Sequence, residues 1–432
     1  MEIQKNCKCG KKHIFTSQVI VKEGALQELT ELLAQYGAKK VFLIADKNTY
    51  AAAGKAVTDI IAGNVLVASC IFNEDALEPD ERSVGRAVMY YESDCDVVIG
   101  VGSGVINDIG KIVANVAGKP YIIVGTAPSM DGYASATSSM TRDGLKISLP
   151  SKCADVIVGD LDVLCEAPLH MIRAGIGDTL AKYISICEWK IANLVIGEYY
   201  CPVVAEMVQT ALQRCLEASS AALRREPEGV KAVMEGMIIT GMAMQYAGVS
   251  RPASGVEHYF SHIWDMRGLA FGAKTDLHGI QCGIGTLLSL KVYEYIRTVT
   301  PDREHALAQV AAFDEDVWDR KLLEFIGPGA NAMILNARQE NRYSPEKHEK
   351  RLDRIITHWP QIQEIVNELP SHQEIYDLMS GLGAPVSANS FQSTDDQVRT
   401  ILTMTKDIRD KYVASQLLWD LGLLDEAAKV LP

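Results

Sequence analysis

The segment DVVIGVGSGVINDIGK, Asp96–Lys111, runs from an unbroken apolar stretch through glycines at 100, 102 and 104 into a pattern of helical period. A strand buried on both faces has this continuous apolar character. Glycines after it let backbone N–H groups approach an anion, and the start of the following helix adds partial positive charge. The pyrophosphate of a dinucleotide is the natural guest. The usual G-x-G-x-x-G spacing is not matched, because Val105 takes the position of the third glycine. Asp108, in the first helical turn, is either an acid favoured by the helix dipole or a ligand to a cofactor hydroxyl.

The strand-then-helix theme repeats on both sides of this segment. Val41–Ala45, Val65–Ile71, Tyr121–Val124 and Ala154–Val158 are further short apolar runs, with helix-period stretches at 24–36, 48–62, 80–93 and 106–117. The alternation predicts a Rossmann-like α/β domain over 1–166, its parallel sheet covered on both faces. From Pro168 onward strand signals vanish. Helical patterns at 168–195, 203–224, 229–247, 255–267 and 278–297, then 303–326, 345–357, 371–381, 393–410 and 413–430, predict an all-α domain over 167–432. The stretch 327–360, charged and broken by Gly327-Pro328-Gly329 and Pro345, reads as a surface excursion.

Composition narrows the function classes. With 48% hydrophobic and 22% charged residues in 432, wholesale disorder is excluded and two or three domains fit. No apolar run approaches the ~18–20 residues of a membrane span, and the stretch MEIQKNCKCGKKH lacks the apolar core of a signal peptide. A cytoplasmic location follows as an expectation. The formal net charge of −13 speaks against non-specific nucleic-acid binding, and requires local donors for any anionic substrate. The ten cysteines are scattered, as reduced, buried small hydrophobes would be. Cys7, Cys9 and His13 have the spacing of metal donors. With no partner pair elsewhere in the chain, they read as an ordinary N-terminal segment.

Two further regions carry chemistry. Gly125-Thr126-Ala127-Pro128-Ser129-Met130-Asp131-Gly132 follows a strand, where ligands of open parallel sheets bind, and offers two hydroxyls, a proline-fixed turn and a carboxylate. In the helical half, His258 and His262 are four residues apart and so share one helix face. His278 opens a later helical stretch, and Asp178 sits inside an otherwise apolar one. A carboxylate is costly to bury unless paired or metallated, and one carboxylate with two imidazoles makes a three-ligand divalent site with a position open to substrate.

Together, GSGVINDIGK at 102–111, GTAPSMDGYAS at 125–135 and the series Asp178, His258, His262, His278 resemble the metal-dependent polyol dehydrogenase superfamily. That superfamily includes glycerol dehydrogenases, iron-type alcohol dehydrogenases and dehydroquinate synthases; the sn-glycerol-1-phosphate dehydrogenase branch matches best, chiefly through Met130-Asp131-Gly132-Tyr133. The resemblance spans about 40 to 290 and weakens after 300. It departs from the plain glycerol-dehydrogenase form at Ser103, which leaves the backbone cradle intact.

The resemblance implies that Gly104, Val105, Ile106, Asn107 and Asp108 hold the pyrophosphate and ribose of NAD(H) or NADP(H). It puts Thr126, Ala127, Pro128, Ser129 and Ser135 along the nicotinamide half. Asp178, His258 and His278 are then ligands of one divalent metal, Zn²⁺ or Ni²⁺, while Asp131, Asp178 and His262 face the substrate. The implied reaction interconverts dihydroxyacetone phosphate and sn-glycerol 1-phosphate in a homo-oligomer, a dimer favoured. Arg142, Lys146, Arg251 and Lys274 flank the motifs as candidate phosphate donors, and Asp46 is a candidate ribose contact. The rival readings are a glycerol or polyol dehydrogenase, a dehydroquinate-synthase-like cyclase and a non-catalytic NAD-binding protein. Asp at 178, where the cyclases usually carry Glu, speaks against the second of these. The apolar face AVMEGMIITGMAMQYA, 232–247, is compatible with domain core or with a subunit interface.

Overall fold

The computed structural model describes residues 7–142 and 145–432. Six strands form one parallel sheet: β1 (Gln18–Lys22), β2 (Lys40–Asp46), β3 (Leu66–Phe72), β4 (Val97–Gly102), β5 (Tyr121–Gly125) and β8 (Val156–Asp160), in the order β1-β8-β5-β4-β2-β3. The central strands β4, β5 and β8 are buried at every position, as their unbroken apolar sequences require. Helices α1 (Leu29–Gln35), α2 (Lys55–Ile61), α3 (Glu81–Tyr90) and α4 (Gly104–Ala117) are the connections. From β2 the chain steps outward to β3, whereas from β4 it steps the other way to β5. The order therefore reverses between β2 and β4, and the Gly102–Gly104 turn lies at the carboxyl end of a strand at that reversal, the usual place for a ligand in such a sheet.

Three strands of the sheet unit carry no sequence forecast. Strand β1 pairs with β8, Ile20 opposite Val158, and extends the sheet by one edge strand. Strands β6 (Thr137–Arg142) and β7 (Leu145–Pro150) pair antiparallel, Met140 opposite Ile147. Their Ser- and Thr-rich sequence lacks the apolar run that marks the other strands.

The later chain is helical, as expected, with finer divisions. The stretch at 168–195 is two helices, α5 (Leu169–Leu180) and α6 (Lys182–Ile196); α7 (Pro202–Leu223), α8 (Pro227–Ala247), α9 (Val256–Phe271) and α10 (His278–Thr298) follow. The reading of 327–360 as a surface excursion is corrected over its first part, where Ala330–Gln339 is a helix, while the helix forecast at 345–357 is present and runs further, as Pro345–Asn367. The second spaces Leu352, Ile355, Ile362 and Val366 along one buried face, and Pro360 stands inside it. Its charged residues lie mostly on the exposed remainder of the helix.

The chain divides into two compact units that interleave along the sequence: unit 1 holds 11–179 and 207–248, and unit 2 holds 7–10, 180–206 and 249–432. Helix α8 thus belongs with the sheet rather than with the helices that surround it in sequence. Gly241 admits it against the turn Asp131–Ala134, where a Cβ would come within 2.8 Å of Ala134, and Gln245 Nε2 donates to Ala134 O at 2.5 Å. Val233, Met234, Met237, Ile238 and Met242 of α8 are buried within the chain, so this apolar face is core. Among the described residues no helix is long and apolar enough to cross a membrane.

Candidate active site

In unit 1 the two sequence loops meet. Gly102 carries no side chain because a Cβ there would lie 2.6 Å from Ile106, whose packing brings the first turn of α4 back onto the strand. Ile106 and Asn107 are buried, while Gly104, Val105 and Asp108 are partly open. Asn107 Nδ2 donates to Gly132 O at 3.0 Å, tying α4 to the second loop, and its Oδ1 is buried with no hydrogen-bond partner among the described residues. Asp108 is engaged by Lys111 Nζ at 2.9 Å, which also donates to Thr137 O. Asp46 caps the following turn, accepting from Asn48 and Thr49 N–H groups at Oδ1.

The second loop is held from within. Thr126 N donates to Gly102 O, Ser129 Oγ to Ser103 Oγ at 3.2 Å, and the buried Tyr133 hydroxyl to Ala127 O at 2.7 Å. Ser135 Oγ accepts from Thr137 N at 3.1 Å. The loop rests on α5. A Cβ at Gly175 would fall 2.0 Å from Pro128 O, and one turn further Asp178 Oδ2 accepts from Asp131 N at 2.9 Å. Asp178 is wholly buried. One helix therefore seats the loop from Thr126 to Asp131 and presents a buried carboxylate beneath it.

In unit 2, α9 and α10 bring the imidazoles together. A Cβ at Gly285 would lie 2.4 Å from Glu257 O, so the two helices touch backbone to side there. His258, next to Glu257, and His278, two turns before Gly285, then approach with ring centroids 5.0 Å apart. His258 is buried, and burial, followed by the charges of Lys182 and the other histidines, holds its pKa well below the usual imidazole value. A neutral imidazole is the form that ligates.

Its Nδ1 is 2.8 Å from Glu257 Oε1, which also accepts from Gly255 N, a contact of the kind that orients a ligating imidazole. Burial and the nearby Glu188 push the Glu257 carboxyl up to about 8. His278 is fixed likewise, Nδ1 at 3.0 Å from Ser261 Oγ, with Cys282 Sγ 3.4 Å from its Nε2. One ligand atom each of His258, His278 and Cys282 lie within 4.8 Å of one another. His262 stacks on His278 at 6.3 Å between centroids.

Sequence reasoning passed over Glu257, Ser261 and Cys282. Each adjoins or shares a helix face with a named histidine, so the signal was the histidine spacing itself. Of the phosphate candidates, Arg251 is committed to Glu198 through three contacts of 2.7–2.9 Å, and its Nη1 has no hydrogen-bond partner among the described residues. Lys274 and Arg142 are exposed. Lys411 was not anticipated: it donates to Ser254 O, and burial with the adjacent Arg251 and Arg409 lowers its pKa to about 7.

Comparison with known proteins bears on this geometry. The chain is 33% identical over 347 residues to an NAD(P)+ glycerol-1-phosphate dehydrogenase of Halalkalibacterium halodurans, spanning 75% of this chain and 87% of that one. The chain belongs to the glycerol-1-phosphate dehydrogenase family. A Bacillus licheniformis protein of the same name is 27% identical over 97% of this chain and 93% of its own length, so this similarity extends well past residue 300. Residues 20–168 match the iron-containing alcohol dehydrogenase family. In fold the family member is similar to a glycerol dehydrogenase from Schizosaccharomyces pombe, at 17% identity, covering 97% and 92% of the two chains with a TM-score of 0.59.

Proposed function

We propose that this protein is a cytoplasmic, homodimeric oxidoreductase that interconverts dihydroxyacetone phosphate and sn-glycerol 1-phosphate with NAD(H) or NADP(H). The similarity to named glycerol-1-phosphate dehydrogenases over 87% of a relative's length carries the reading. The chemistry of the donors fits it. Two buried or half-buried histidines, their Nδ1 atoms beside Glu257 and Ser261, and the buried carboxylate of Asp178 are a donor set suited to Zn²⁺ or Ni²⁺. The cradle at Gly102–Gly104, with the unpartnered Asn107 Oδ1 beside it, fits a dinucleotide.

In this reading Gly104, Val105, Asn107 and Asp108 bind the pyrophosphate and ribose, and Ile106 contributes its backbone while its side chain packs on Gly102. Thr126, Ala127, Pro128, Ser129 and Ser135 line the nicotinamide half, and Asp178, His258 and His278 hold the metal. When bound, the metal supplies Lewis-acid polarisation of the carbonyl and the nicotinamide supplies hydride. The protein's own work is placement. Glu257 and Ser261 orient the imidazoles. Asp178 fixes the Asp131 backbone, and Asp131 and His262 are the groups for binding substrate hydroxyls and relaying a proton.

The test is oxidation of NADH or NADPH by metal-reconstituted protein, with dihydroxyacetone phosphate set against dihydroxyacetone. Preference for the phosphorylated ketone, abolished by chelation and by His258→Ala, is expected. Equal use of dihydroxyacetone overturns the substrate assignment, and no oxidation by metal-loaded protein overturns the reaction.

A further inference from the structure

A second group of soft donors lies outside this site. Cys7, Cys9 and Cys201 each place a sulfur within 4.8 Å of the other two, and Cys7 Sγ is 3.4 Å from Cys201 Sγ. We infer that these three thiolates form a structural Zn²⁺ site. Two thiolates on one tetrahedral zinc, with Zn–S near 2.3 Å, stand about 3.8 Å apart. The observed 3.4 Å is close to that value and far from the roughly 2.0 Å of a disulfide. A C-x-C pair from one loop and a cysteine nearly two hundred residues away supply the three ligands.

The surroundings suit a ligating role. The Tyr199 hydroxyl donates to Cys9 Sγ at 3.1 Å, which favours a thiolate. Cys201 ends a loop that is already shaped for a rigid role. Trp189 Nε1 donates to Tyr199 O at 2.5 Å, Asn193 Nδ2 to Glu198 O at 2.6 Å, and the Glu198 carboxylate grips Arg251, five residues before α9. Zinc at Cys201 thus braces the loop from which the start of the His258 helix is held.

The experiment keeps this site separate from the catalytic one. His258→Ala protein is purified with reducing agent, dialysed against chelator and analysed for zinc by mass spectrometry. One equivalent per chain should remain, and Cys7→Ser or Cys201→Ser in the same background should remove it. Replacement with cobalt should give a thiolate-to-cobalt charge-transfer band that Cys201→Ser abolishes. If a cysteine variant does not fold, mercurial titration of the His258→Ala protein with a zinc indicator dye reads the same release. Absence of a retained equivalent in His258→Ala, or retention in both cysteine variants, overturns the site. So does an intact mass lighter by two hydrogens with Cys7 and Cys201 in one cross-linked peptide.

Discussion

Gly285 makes the approach of α9 and α10 a measurable quantity. An alanine there would put Cβ 2.4 Å from the Glu257 carbonyl oxygen, a backbone atom that cannot swing away. Restoring ordinary contact near 3.4 Å requires the helices to part by about 1 Å at that point. Overpacking of this kind costs about 1–3 kcal/mol, offset in part by the roughly 1 kcal/mol that alanine gains over glycine in a helix. Stability therefore falls modestly, by up to about 2 kcal/mol. Function should fall more, because Glu257 orients His258 and His278 lies two turns along the same helix. A misplacement near 1 Å is worth roughly 10²-fold in rate.

The control is Gly85→Ala on α3, where an added Cβ meets nothing within 4 Å. It should raise stability by up to about 1 kcal/mol and leave activity alone. The assays are thermal denaturation, metal content after dialysis and kcat/KM for dihydroxyacetone phosphate. If Gly285→Ala matches Gly85→Ala in all three, the helices do not meet at Gly285, and the argument for how the histidines are brought together is refuted.

Glu257→Ala should weaken metal binding about 10–100-fold by leaving the His258 ring unoriented; a competitive chelator titration measures it, and an unchanged affinity contradicts the role. Gly175→Ala should raise KM for the dinucleotide by displacing the Pro128 carbonyl, read by initial rates at fixed ketone. A third prediction concerns the packing of unit 2, where Lys406 Nζ is buried 2.5 Å from Asp407 Oδ2 and 4.3 Å from the centre of the Trp318 ring. Burial pushes the Asp407 carboxyl up, but Lys406, the Tyr343 hydroxyl and Arg342 outweigh it and hold the pKa below the usual value. A depressed carboxylate contributes stability that is full above the unfolded pKa near 4 and lost as pH falls through the folded one. Asp407→Asn should cost about 3–5 kcal/mol at neutral pH and flatten the acid limb of the stability profile, measured by denaturant unfolding across pH.

Much of this protein is legible in its linear pattern, for a local reason. Strands β4, β5 and β8 are buried on both faces, so their apolar runs need no partner to be recognised. The glycine turn at 102–104 and the histidine spacing at 258–262 depend only on backbone geometry over a few residues. The edge strand β1, with Gln18 and Val19 exposed, and the polar β6–β7 pair have no such run; β1 is a strand through pairing with the distant β8, and β6 and β7 through pairing with each other.

Tertiary structure alone decided what each side chain serves. Asp46, a candidate ribose contact by position, serves as a helix cap, and Asp108 of the glycine-turn helix is paired with Lys111. Arg251, a candidate for substrate phosphate, is held by Glu198. Cys201, one scattered cysteine among ten, comes beside Cys7 and Cys9. Sequence spacing reports neighbours along one helix or turn, because periodicity fixes their faces; which donors converge from different elements depends on how the elements pack, and glycines such as Gly285 and Gly175 reveal their purpose only against the backbone they admit.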